Sequence, residues 1–104
     1  MKRVVIESPY AGDVKKNKRY ARACMLDCLK RGEAPYASHL LYTQVLDDDV
    51  KEERELGINS GFAWQDAADL IVVYTDLGIS KGMERGVENA KAPVQYRSIP
   101  DWDS

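Results

Sequence analysis

The run Asp69-Leu70-Ile71-Val72-Val73-Tyr74 is continuously apolar after its opening aspartate, and it is dominated by branched side chains. A segment this short is better suited to a strand than to a helix, and it lacks the polar alternation of a strand with one wet face. It reads as a strand buried on both sides, the situation of a parallel sheet covered by helices. A second strand, Arg3–Glu7 with Val4-Val5-Ile6 at its centre, ends at Ser8-Pro9-Tyr10-Ala11-Gly12, a turn-forming sequence. Between them the period changes. From Asp13 to Arg31 the apolar residues Ala21, Cys24, Met25, Cys28 and Leu29 recur at helical spacing. Asp13 caps the start of this helix, and Gly32 stands where its end wants a left-handed residue. Ala34–Ser38 reads as a second strand, with a short helical turn from His39 to Tyr42. Asp47-Asp48-Asp49 suits the start of a third helix, where carboxylates meet the positive end of the helix dipole. Leu56, Phe62, Ala63 and Ala67 mark its inner face, and it ends near Ala68. A last helix is expected over Lys81–Lys91, with Gly82, Gly86 and Ala90 as a small-residue stripe against the sheet. Pro93–Ser98 is the final strand, followed by a tail with an exposed Trp102.

Strand, helix, strand, helix, strand, helix, strand predicts one parallel sheet of about four strands with helices on both faces. Residues 1–104 form a single domain: the chain is long enough for one core and too short for two. Fifteen basic and 17 acidic residues give a net charge of −2, without the basic surface that duplex nucleic acid or an anionic membrane would attract. No apolar run approaches the roughly 20 residues that span a bilayer. The amino-terminal apolar stretch stops at Glu7, too early for a secretory signal, so the expected location is the cytoplasm. Cys24 and Cys28 share a helix face and read as buried apolar filler. His39 is the only histidine, which excludes a multi-histidine metal site within one chain; no cofactor and no metal are expected. The Asp47–Asp49 run reads as a solvated helix start.

In a sheet of this class with order 2-1-3-4, ligands sit beyond the carboxyl ends of the strands, at the reversal between the first and third. The segments leaving those strands supply Ser8, Pro9 and Tyr10 on one side and Asp76, Gly78, Ser80 and Gly82 on the other. The helix that follows has free amides at its start, suited to phosphate or another anion. His39 ends the second strand on the same edge and offers a hydrogen bond to a phosphate or a ribose hydroxyl. Tyr10, Tyr36 and Trp64 offer flat faces for a base. No phosphate-loop or dinucleotide fingerprint occurs.

The strand followed by Ser8-Pro9-Tyr10, the His39 segment, Trp64 with Ala68-Asp69 ahead of a buried strand, and Ser80-x-Gly82 entering a helix with Ala90 together resemble the nucleoside 2-deoxyribosyltransferase superfamily. The likeness runs from Val4 to about Ser98 and is nearest to small phage and bacterial members related to 2′-deoxynucleoside 5′-phosphate N-hydrolases. It implies a small flavodoxin- or Rossmann-like three-layer α/β domain, a nucleotide ligand and pockets completed across subunits, hence a homo-oligomer. It also implies a glutamate that attacks the anomeric carbon, with an assisting aspartate. Here the motif places Gly86 where the glutamate belongs and Gly61 where the aspartate belongs, and Val5 where the hydrolases carry a tyrosine.

Recognition without the usual carboxylates implies a nucleotide-binding protein that does not turn over its ligand. In a phage, whose proteins act in the host cytoplasm, such a protein would sequester a nucleotide immune messenger such as a cyclic ADP-ribose isomer. A second reading is an N-glycosidase or deoxyribosyltransferase using Glu84 or Glu88. Their helical offsets turn both away from position 86. A third is a peptide- or protein-binding module.

Overall fold

The computed structural model describes residues 1–104. Four strands, β1 (Arg3–Glu7), β2 (Ala34–Tyr36), β3 (Leu70–Tyr74) and β4 (Val94–Arg97), form one sheet in the order β2-β1-β3-β4. All three pairings are parallel, and Glu7 stands opposite Val73 in the central pair. The helices are α1 (Val14–Lys30), α2 (Ser38–Leu41), α3 (Lys51–Gln65) and α4 (Lys81–Asn89), with a 3-10 turn over Tyr42–Gln44. The three-layer α/β architecture is that expected from the alternation of periods, and the order is the 2-1-3-4 expected for that class.

Strand alternation divides the core in two. Val4 and Ile6 of β1 and Val72 and Tyr74 of β3 face α1, where they pack with Tyr20, Cys24 and Cys28. Both cysteines are buried and unbridged, as filler should be. Val5, Ile71 and Val73 are buried, as is Met83 of α4. On the α1 side a buried ion pair joins the two edges of the sheet. Arg97 Nη1 and Nη2 each donate to Glu33 at 2.7 Å, and Arg97 also donates to the Tyr74 hydroxyl at 3.4 Å.

Helix α1 begins as expected, with the Asp13 carboxylate accepting from the Lys16 amide at 3.2 Å. Gly32 follows its end with φ +80°. Several expectations need correction. The second strand stops at Tyr36, because Ser38 already opens α2. Helix α3 ends at Gln65, and its inner face is not the expected one: Leu56, Ala63 and Ala67 are exposed, and Gln65 is its buried residue. That helix lies close to α2, with a β-carbon at Gly61 falling 3.6 Å from Ser38 Cβ, so the side chains that fit its inner face are small. Helix α4 ends at Asn89, and Gly82 lies on its exposed side rather than against the sheet. The tail is not free. Trp102 packs against the core and meets the Tyr20 ring edge-on at 5.1 Å, because the Asp76 carboxylate binds the chain just before it. No helix is long and apolar enough to cross a membrane.

Candidate functional site at the carboxyl ends of β1 and β3

The loops leaving β1 and β3 face each other across an open basin. Pro9, Ala11, Lys16 and Asn17 form one wall, and Asp76, Gly78, Ile79 and Ser80 form the other. The first wall is shaped by Asn17, which is buried and donates to the carbonyls of Tyr10 (2.8 Å) and Ala11 (3.0 Å). The second begins with a tight turn in which the Gly78 amide donates to the Thr75 carbonyl at 3.0 Å. Gly78 has φ +84°, a conformation that side chains other than hydrogen disfavour. Ser80 then caps α4, its hydroxyl accepting from the Met83 amide at 3.2 Å. The first amides of an α-helix have no partner within it, and Ser80, which precedes them, lines the basin.

Of the residues predicted to bind a ligand, Pro9, Asp76, Gly78 and Ser80 share this basin. Tyr10 borders a neighbouring hollow with Gly12 and Asp47–Asp49. His39 lines a separate cleft with Tyr42, Asp48 and Arg54. The Tyr10 and His39 rings stack on each other at 5.1 Å, bridging the two hollows. Burial lowers the His39 pKa, with Asp48 and the Ser8 backbone pulling the other way, which favours the neutral imidazole. Ser8 is buried beneath the loop, and Gly82 faces outward. Trp64 stacks on Tyr36 at 5.5 Å, next to the strands' amino ends rather than the basin.

Asp76 is committed to the fold. It accepts from the Tyr20 hydroxyl at 2.6 Å, from Ser98 Oγ at 2.8 Å and from the Ile99 amide at 2.9 Å. Burial would raise its pKa, but these donors outweigh burial and hold it low. The Asp47–Asp49 segment binds itself, the Asp49 amide donating to Asp47 Oδ1 at 3.0 Å and the Asp47 amide to Glu53 at 3.0 Å. No group of acidic, cysteine or histidine residues is arranged to hold a metal ion.

Glu7 was not among the predicted site residues. It is half-buried, on the opposite face of β1 from Ile6, with its carboxylate against the backbone of Gly86. A β-carbon at position 86 would lie 2.5 Å from both carboxylate oxygens, so only glycine admits the side chain. Gln65 Nε2 donates to Glu7 Oε2 at 3.2 Å and to the Gly86 carbonyl at 3.1 Å. Asn89 fixes Gln65 in turn, donating to its Oε1 at 3.1 Å. Burial pushes the Glu7 pKa up to about 7, and the Gln65 amide offsets part of that rise. Glu84 and Glu88 are exposed on the far side of α4. The signal for Glu7 is an acid directly after the apolar Val4-Val5-Ile6; its glycine partner 79 positions later is not readable from either residue alone.

Residues 2–97 match DUF7768, a domain family of unknown function. The chain belongs to DUF7768. Nothing among the curated proteins matches it. The match takes in every strand and helix of this DUF7768 domain, together with Glu7, Gln65, Gly86 and the whole basin, and stops short of the Trp102 turn.

Proposed function

We propose that this domain binds a nucleotide-like ligand at the carboxyl edge of its sheet. The observation that carries the reading is the shared basin between the β1 and β3 loops, at the one place where the strand order reverses. Lys16 and the first amides of α4 offer partners for a phosphate. The Tyr10–His39 stack, one residue beyond Pro9, offers an aromatic wall for a base or sugar. Self-association belongs to the same reading: Leu56 and Trp64 leave apolar surface on the outside of α3, which a second copy would cover.

A thermal-shift panel of mono-, di- and cyclic nucleotides, including cyclic ADP-ribose isomers, tests the proposal. A concentration-dependent rise in melting temperature with one ligand class is expected. No shift with any member at millimolar concentration would remove it. Chromatography of the same mixtures separates two outcomes. Intact ligand means sequestration, the role of a phage protein that holds an immune messenger; released base means turnover.

A further inference from the structure

We propose that copies of this chain stack face to back, the outer side of α3 in one molecule seating on the outer side of α1 in the next. This rests on the self-association proposed above and is independent of the ligand. Residues 14–22, the first half of α1, carry five basic side chains and no acidic one. Lys15, Arg19 and Arg22 are exposed, with Lys18 between them. Cations therefore neighbour one another at three- and four-residue spacing and stand at the positive end of the helix dipole, and both arrangements disfavour the helix. Within the molecule the only relief is Arg19 beside Asp103, 3.8 Å apart between exposed side chains, a pair of little worth in water. The opposite charge gathers at the start of α3, where residues 47–55 carry six acidic and two basic side chains. Glu55 pairs with Arg85, and Glu53 accepts from the Asp47 amide. Asp49 and Glu52 are exposed and belong to no ion pair.

The two faces match along their length. The exposed stripe of α1 runs Lys15, Arg19, Arg22, Leu26, and that of α3 runs Glu52, Leu56, Asn59, Ala63, with identical steps of four, three and four residues. Each is charged at its start and uncharged toward its end, where Leu26 and Leu29 stand out from α1 and Trp64 flanks the stripe of α3. The helices also run the same way. Val14 and Asp47–Asp49 border one hollow, so both begin at the carboxyl edge of the sheet. The chain leaving α3 meets Arg3 and Ala34 at the amino edge, where α1 hands over to β2. They cover opposite faces, because the β1-to-β2 and β2-to-β3 crossovers traverse the sheet in opposite directions. A translation along the sheet normal therefore lays α3 of one copy parallel to α1 of the next, carboxylate beside cation and apolar end beside apolar end. A two-fold contact of α1 with α1, or of α3 with α3, sets like charges together or a charged half against an apolar half. The two surfaces differ, so translation leaves one of each unfilled and the stack grows with concentration.

Sedimentation equilibrium on three full-length chains tests the pairing: wild type, the triple variant Lys15→Glu, Arg19→Glu, Arg22→Glu, and the double variant Asp49→Lys, Glu52→Lys. Wild type is expected to show a mean mass above one chain that rises with protein concentration. Each variant alone is expected to fall to the mass of one chain, since its two faces then carry the same sign. An equimolar mixture of the two is expected to regain the wild-type mass, because the reversed faces complement each other, and that recovery also shows that both variants fold. A triple variant that keeps the wild-type mass overturns the pairing and leaves self-association through another surface. Two variants that melt as wild type does, yet stay at one chain when mixed, overturn it as well. A wild type of one-chain mass removes both this pairing and self-association; a single-stranded oligonucleotide bound by wild type and lost by the triple variant would then assign the basic stripe to phosphates. Lys16 and the basin are untouched in both variants, so the nucleotide thermal shift tests the ligand reading separately.

Discussion

Burial dominates the chemistry of Glu7, and its hydrogen-bonding partner is an amide rather than a cation. In the unfolded chain its carboxyl titrates near 4.5; in the folded protein burial moves it to about 7. Below pH 4.5 the group is protonated in both states and carries no penalty. Between these values the folded state holds the extra proton, so stability falls as pH rises, and above pH 7 the whole penalty applies. Each pH unit of displacement corresponds to about 1.4 kcal/mol, and the partial exposure of the side chain reduces the total to on the order of 2 kcal/mol. Glu7→Gln should therefore unfold at higher denaturant concentration than wild type at pH 8 and at the same concentration at pH 4. A difference between the two proteins that does not change with pH would show that ionisation is not the cause. Glu33 behaves in the opposite sense: hydrogen bonding by Arg97 lowers its pKa, so its contribution is lost as pH falls.

At the scale of the element, α4 is an amphipathic helix whose sheet face is built around one missing side chain. Alanine is favoured over glycine inside a helix by about 1 kcal/mol, so Gly86 is retained against local preference. The Glu7 carboxylate supplies the reason. In wild type, Gly86→Ala should destabilise the protein, because the new methyl group meets the carboxylate. In a Glu7→Ala background the same substitution should become neutral or stabilising by about 1 kcal/mol. Equilibrium denaturation of the four proteins gives the coupling directly; additive effects would show that residues 7 and 86 do not share the space. Helix α3 illustrates what periodicity misses. Its apolar residues Leu56, Phe62, Ala63 and Ala67 mark the expected inner face, yet the helix's buried residue is Gln65. A helix lying close against α2 and a buried carboxylate selects for small and amide side chains on that side, and hydrophobicity alone does not register them.

For the whole molecule, the sheet is covered by α1 on one side and by α3 and α4 on the other, with Leu56 and Trp64 left on the outside of α3. Trp64 is 53% exposed, although its ring stacks on Tyr36. Sedimentation equilibrium at tens of micromolar protein should report a mass above that of one chain, and Trp64→Ser with Leu56→Ser should return it to one chain while the fold persists. A wild-type mass of one chain under those conditions would remove self-association.

Local sequence was sufficient for the existence of the four strands, the α1 cap at Asp13 and the left-handed Gly32, because each rests on a short run of side chains, whereas the strand order followed from the fold class that their alternation implies. The basin between the β1 and β3 loops was legible for the same reason: its position follows from topology. Which of the candidate residues share that basin was decided by tertiary structure, since Tyr10 and His39 turn to each other and Asp76 is consumed by Tyr20, Ser98 and Ile99. The meeting of Glu7 with Gly86 belongs wholly to the folded chain. A half-buried carboxylate and the absent side chain that makes room for it lie on different elements, and only packing β1 against α4 brings the two residues into contact.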